Sequence, residues 1–184
     1  MYMSKTLYRT ILIDPPWPQH GGGRIKRGAD RHYGLLKVRD IVPTILGSNS
    51  FTPADDAHLY LWTTNNHMPD AIKVVSDLGF RYVTLLTWAK PGFGIGQYFR
   101  GQTEHLVFAV RGDGLGLMRG WTTRRNISTL VSADWSRDGR GRKVHSAKPV
   151  EFYGLVETVS PGPRLEMFAR SQRPGWDSWG DEVP

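Results

Sequence analysis

The 184 residues carry 24 Lys and Arg against 17 Asp and Glu, a net charge of +7 and a pI near 9.9, a balance that suits a polyanionic partner. The absence of cysteine excludes disulfides, thiolate metal sites and a thiol nucleophile. One hydrophobic core is expected at this length, hence a single domain over residues 1–184; no apolar run nears the ~18 residues of a membrane span, and Met1-Tyr2-Met3-Ser4-Lys5 lacks the apolar stretch of a signal peptide, so the expected location is cytoplasmic.

In chain order, Tyr8 to Ile13 reads as a buried strand that stops at Asp14, because Pro15 and Pro16 supply no N–H donors. A basic, glycine-bearing loop follows from Gln19 to about Tyr33. His58 to Trp62 reads as a second strand. Pro69 then opens a helix whose Ala71, Ile72, Val75 and Leu78 share one face before Gly79 ends it. Phe80 to Trp88 and Glu104 to Val110 read as two further strands, joined through a loop carrying Gly92-Phe93-Gly94-Ile95-Gly96 and Tyr98-Phe99-Arg100-Gly101. No helix follows those glycines, which argues against a dinucleotide fingerprint and for a substrate loop. Residues 111–146 are rich in Gly, Arg, Ser and Asp, with only Ile127 to Val131 resembling a strand, and read as a mobile stretch that orders on substrate. Pro149 opens a last helix with Phe152, Tyr153, Leu155, Val156 and Val159 inward, and Arg164 to Phe168 forms the last strand. Strands alternating with helices imply a mostly parallel α/β sheet.

Asp14-Pro15-Pro16-Trp17 is the segment that carries chemistry. An exocyclic aromatic amine is a poor nucleophile because its lone pair is delocalised into the ring. Two acceptors on its hydrogens and an aromatic face against the ring would localise that lone pair and hold it in line with an electrophile. Asp14 offers a carboxylate, Pro15 a carbonyl, Trp17 a stacking surface, and Pro16 stiffens the frame. A carboxylate near its reference pKa of ~3.9 is no base for a neutral amine, so Asp14 takes a proton only as the new bond forms.

These four residues resemble the signature of the seventy-kilodalton mRNA adenosine methyltransferase subunit family, which includes eukaryotic RNA enzymes and small bacterial and phage members. Leu61-Trp62-Thr63-Thr64-Asn65, Gly79-Phe80-Arg81-Tyr82, Trp88-Ala89-Lys90-Pro91, and Arg173-Pro174-Gly175-Trp176-Asp177 through Trp179-Gly180-Asp181-Glu182 follow its bacterial pattern. His145-Ser146-Ala147-Lys148-Pro149 is similar to an element of β-class amino-methyltransferases, in which the catalytic motif comes first and the cofactor motif last, as Asp14 and Leu165-Glu166-Met167-Phe168-Ala169-Arg170 do here. The glycine loop usual after the phenylalanine is replaced by Ala169-Arg170-Ser171-Gln172.

The resemblance implies a Rossmann-like class I methyltransferase sheet with helices on both faces and permuted motif order. It implies S-adenosylmethionine as cofactor and the exocyclic amino group of a flipped adenine as acceptor. Catalysis falls to Asp14, Pro15, Pro16 and Trp17. Asp14, Lys148, Phe168, Arg170, Gln172, Asp181 and Glu182 are expected to hold the cofactor, with Lys148 on its carboxylate. Trp17, Tyr33, Arg24, Arg27, Lys90 and Arg100 are expected to meet substrate. Further phosphate contacts are expected from Lys26, Arg31, Arg119, Arg124, Arg125, Arg137, Arg140, Arg142 and Lys143. DNA is the expected nucleic acid, with RNA the main alternative and a non-catalytic nucleic-acid-binding subunit the alternative of another class. A homodimer or a methyltransferase-like partner subunit would widen a small footprint. The spacing of His20, His58, His67 and His105 suggests no metal site.

Overall fold

A computed structural model of the chain describes residues 5–18, 35–94, 98–124, 126–144 and 147–183. Apolar strands there form a seven-stranded sheet. In chain order the elements are β1 (Tyr8–Ile13), α1 (Val38–Gly47), β2 (Pro53–Thr63), a 3-10 turn at Asn65–His67, α2 (Met68–Asp77), β3 (Arg81–Ala89), β4 (Thr103–Arg111), α3 (Gly114–Trp121), β5 (Leu130–Ser132), α4 (Val150–Val159), β6 (Arg164–Met167) and β7 (Asp177–Trp179). The strand order is β5-β3-β4-β2-β1-β6-β7. Only β4 runs against its neighbours, pairing antiparallel with both β2 and β3, so the expected mostly parallel sheet is found.

Period-two alternation explains how one sheet feeds two cores. Ile11, Ile13, Leu59, Leu61, Val107, Ala109, Leu165 and Met167 face Ile41 and Ile45 of α1 and Ala71, Val74 and Val75 of α2. Leu12, Tyr60, Trp62, Leu106, Phe108 and Val110 face Phe152, Tyr153 and Val156 of α4. Because the carboxyl halves of β1 and β2 are covered on both sides, Ile11 to Ile13 and Leu59 to Trp62 are continuous apolar runs rather than alternating ones.

Several elements depart from the sequence reading. The helix α1 lies in a segment for which none is expected; its amphipathic pattern is interrupted by Pro43, which the tertiary burial of Ile41 and Ile45 overrides. The basic stretch contains the helix α3, whose Asp113 side chain accepts from the Gly116 N–H, and its strand is the shorter Leu130–Ser132. The last strand is not Arg164 to Phe168 but Arg164–Met167, followed by β7, too short to be read without its partner β6.

A buried polar relay fastens α3 and the end of α4 to β2. The His58 Nε2–H donates to the Gly114 carbonyl at 2.6 Å, Nδ1 accepts from Ser160 Oγ at 2.6 Å, and Tyr60 OH donates to Ser160 Oγ at 2.7 Å. Burial, outweighing the Gly114 carbonyl, holds the His58 pKa below its usual 6.5. The unfolded chain therefore takes up a proton first, so stability is full above pH 6.5 and is lost as pH falls through the folded pKa, at up to about 1.4 kcal/mol per pH unit. Thermal unfolding between pH 7 and 5 is expected to show a falling midpoint. His58→Gln is expected to have a lower midpoint at pH 7 and a shallower slope, and an unchanged slope would remove His58 from the account.

Candidate active site

The chain leaves β1 toward β2 on one side, and β6 returns on the other, so the carboxyl ends of β1 and β6 flank a topological switch point, where open α/β sheets form their binding crevice. The two ends are joined directly, with the Asp14 N–H donating to the Met167 carbonyl at 3.3 Å. Pro15 and Pro16 then end the strand. The Trp17 N–H turns back onto the Pro15 carbonyl at 2.8 Å, a three-residue turn centred on Pro16, whose own carbonyl accepts from Leu36 N–H at 3.0 Å. One lone pair of the expected Pro15 acceptor is thus already engaged.

Trp17 is placed differently from its expected role. Its side chain is only 8% exposed, its Nε1–H donates to the Trp62 carbonyl at 2.8 Å, and its ring stacks on His67 at 5.1 Å between centroids. The tight turn directs the indole under the end of β2 rather than into the crevice. Trp17 therefore locks the turn, and the base-stacking face expected of it is not presented. His67 completes the lock through Nε2–H to the Pro18 carbonyl at 2.6 Å, with Asp70 3.1 Å from Nδ1. Trp17→Phe removes the indole hydrogen bond to the Trp62 carbonyl and part of a buried ring, and is expected to cost about 1–3 kcal/mol in denaturant unfolding while leaving cofactor affinity within a fewfold. A fall in cofactor affinity as large as that of an Asp14 variant would contradict this positioning role.

Four charges alternate across the crevice. Lys148 Nζ lies 2.8 Å from Asp14 Oδ2 and 3.6 Å from Glu104 Oε2, and Lys90 Nζ lies 2.7 Å from Glu104 Oε1. Lys148 and Glu104 are nearly buried, with 11% and 18% of their side chains exposed. Burial alone would favour their neutral forms. For Glu104 that push is outweighed by Lys148 and Lys90, so its pKa is lowered; for Lys148 it is outweighed by Asp14 and Glu104, so its pKa is raised. Lys90, expected to meet substrate, stands in this charge cluster. It is 13% exposed, tied to Glu104, and its ammonium lies 5.7 and 5.8 Å from the ring centres of Trp88 and Trp135. Sequence reasoning missed Glu104, although an acid opening the otherwise apolar strand Leu106 to Val110 is the kind of mismatch that marks a site.

On the other wall, Phe168 takes a left-handed φ of 59° and sets its ring against Trp179 at 5.2 Å. The Ala169 N–H donates to the Trp179 carbonyl at 3.0 Å, and Gly180 lies so near the Ala169 backbone that a Cβ would collide with it. With the glycine loop after the phenylalanine replaced, a close backbone approach at this point is made instead by Gly180, just past the end of β7. Arg170 Nε is 3.9 Å from Glu182 Oε1, whereas Gln172 and Asp181 are exposed on the same rim. Glu166, also missed, is buried and accepts from Tyr153 OH at 2.6 Å. Burial raises its pKa, outweighing Tyr153 and Arg173.

Arg100 is exposed on the β3–β4 loop. Arg119, Arg124, Arg137, Arg140, Arg142 and Lys143 are exposed, with Asp138 drawing in Arg142 at 2.8 Å. Arg24, Lys26, Arg27, Arg31, Tyr33, Arg125, His20, His145 and Ser146 lie outside the described residues.

A seven-stranded sheet with one antiparallel strand, helices on both faces and a charged crevice at its carboxyl edge is a Rossmann-like methyltransferase fold. A family model described as MT-A70 matches residues 8–182, and the chain belongs to the MT-A70 family. It is 30% identical over 200 residues to the type II methyltransferase M.MunI of a Mycoplasma species, a match covering 96% of this chain and 78% of that one. It is 24% identical over 190 residues to human METTL3, an N(6)-adenosine-methyltransferase catalytic subunit, of which the chain spans 28%. It is also 30% identical over 190 residues to MTA1 of Cryphonectria parasitica, an N6-methyladenosine RNA methyltransferase, of which it spans 52%.

Proposed function

We propose that this methyltransferase uses S-adenosylmethionine to methylate the exocyclic amino group of adenine in DNA. The observation that carries the reading is the Asp14–Lys148 pair at the switch point. A nearly buried cation and anion side by side complement the carboxylate and ammonium of an α-amino acid, the end group of that cofactor. Lys148 would hold the carboxylate and Asp14 the ammonium, Phe168 would form the apolar wall, and Arg170, Gln172, Asp181 and Glu182 would line the polar rim. When bound, the cofactor supplies an electrophilic methyl group on a sulfonium.

The chain's own residues do the rest. Asp14 has one oxygen on Lys148 and keeps the second as an acceptor for an amino hydrogen of the flipped adenine, localising the nitrogen lone pair. On accepting the methyl group that nitrogen would become positively charged, and the Asp14 carboxylate beside it would meet that charge. The nitrogen's proton becomes acidic and passes to Asp14 or through it to water. Glu104 and Lys90 hold Lys148 in place, and the Trp17 anchor holds the turn.

DNA is favoured over RNA because the match to the type II enzyme takes in most of that protein, whereas the RNA enzymes are matched over smaller shares of their length. The test is incubation with methyl-labelled cofactor and duplex DNA, single-stranded DNA or RNA, followed by digestion to nucleosides. Label in N6-methyladenine from DNA is the expected result. Label from RNA alone would overturn the choice of DNA, and no transfer with no cofactor binding would favour a non-catalytic subunit.

A further inference from the structure

Among the described residues folding buries many large aromatic side chains, including Trp62, Trp88, Phe108, Phe152 and Trp176, yet Tyr98 and Phe99 stand 94% and 93% exposed. They are the most exposed of the large hydrophobic residues described. They sit together on the β3–β4 loop with Phe93, itself 64% exposed. Two consecutive aromatics are far fewer than the roughly 20–30 residues a side of a stable protein interface, so their exposure does not by itself define one.

The tip is carried on a paired stem. Lys90 N–H donates to the Gln102 carbonyl at 2.9 Å, Gly94 N–H to the Gly101 carbonyl at 2.7 Å, and Gln102 Nε2 to the Lys90 carbonyl at 3.1 Å. Gly94 packs so closely on Gly101 that a Cβ would stand 2.9 Å from its carbonyl oxygen. Arg100 is fixed as well, its Nε–H donating to the Gly94 carbonyl at 3.0 Å and its guanidinium lying 5.4 Å from the Phe93 ring centre. The foot of the stem belongs to the active site. Lys90 pairs with Glu104, Glu104 with Lys148, and Lys148 with Asp14. Thr103 at the start of β4 donates to Asn65 Oδ1 at 3.0 Å, tying the foot to the end of β2.

We propose that Tyr98 and Phe99 are a wedge that inserts between bases of the duplex beside the target and fills the gap left when the adenine turns out toward Asp14, with Arg100 on an adjacent phosphate. The inference rests on the proposed function. A base cannot reach Asp14 from inside a duplex, and the stack it leaves must be either closed or filled. Aromatic faces fill it without reading sequence, because every base has a π-face, and an arginine beside them adds attraction for the backbone.

The test uses the full chain and the double variant Tyr98→Ala/Phe99→Ala, with two readouts. In the first, methyl transfer is compared on a duplex that the wild type modifies and on the same strand unpaired. The variant is expected to lose about tenfold or more on the duplex, to stay within twofold on the single strand, and to bind cofactor unchanged. Equal loss on both substrates, or no loss on either, would overturn the wedge. The second readout is fluorescence anisotropy on mixed-sequence duplexes with and without a single abasic site. The wild type is expected to bind the abasic duplex at least fivefold more tightly, since no base need be displaced there, and the variant is expected to lose that preference. This measurement needs no catalysis, so an inactive wild type that keeps the preference would reject the proposed reaction and retain the wedge. A wild type without the preference would reject the wedge whatever its activity. Sedimentation of both proteins covers the remaining occupant: a dimer that the variant abolishes would assign the tip to a second copy of the chain and overturn the proposal.

Discussion

Replacing Lys148 by methionine is expected to weaken cofactor binding at least a hundredfold and to destabilise the fold by about 3–5 kcal/mol, the usual range for removing one partner from a buried charge network. Lys148 stands between Asp14 and Glu104, at 2.8 and 3.6 Å, so the substitution leaves two carboxylates facing one another across an apolar side chain. Lys90 remains on Glu104 but does not reach Asp14 by any described contact. The stability difference carries a pH signature. Glu104 has a lowered pKa in the fold because Lys148 and Lys90 together outweigh its burial, so its stabilisation is present above the unfolded value of 4.5 and is lost as pH falls through the folded one. The gap between wild type and variant is therefore expected to be full at neutral pH and to narrow below pH 4.5. Calorimetric titration with the cofactor, beside denaturant unfolding across that range, measures both effects. Unchanged cofactor affinity in a folded Lys148→Met protein would remove the charge-complement argument for the site.

Substituting Asp14 by asparagine is expected to lower the rate of methyl transfer by about 10²–10³, the range found when a single preorganised electrostatic partner is lost from a transition state. Asparagine keeps the shape and one acceptor oxygen, but not the charge that meets Lys148 and the developing positive nitrogen. Cofactor affinity is expected to fall less, by about tenfold, because Lys148 still holds the carboxylate end. Single-turnover transfer at saturating cofactor separates the two. A variant within threefold of the wild type would show that Asp14 does not hold the amino group.

The two residues owe their positions to different parts of the chain, and they were not equally legible. Asp14 could be placed from sequence because the information is local: a run of apolar residues makes a strand, two prolines end it, and the acid just before them stands at its carboxyl edge. The same locality made α2 and α4 readable from their prolines and their apolar spacing. The helix α1 was hidden by Pro43, and β7 by its three-residue length, since each depends on a surface supplied by other elements.

The sequence by itself determined the strands β1 to β4 and β6, the turn at Asp14, the basic charge and the family resemblance, all of which follow from short-range pattern or from a contiguous motif. Only the tertiary structure decided the use of the individual side chains. It set Trp17 onto His67, drew Lys90 onto Glu104, and placed Glu104 between two lysines far apart in the sequence. It also left Tyr98 and Phe99 outside both cores. The physical reason is that burial and charge pairing belong to the space between elements: they are set by which strands become neighbours, and residues as far apart as Asp14 and Lys148 meet only once the sheet has brought β1 and the start of α4 together.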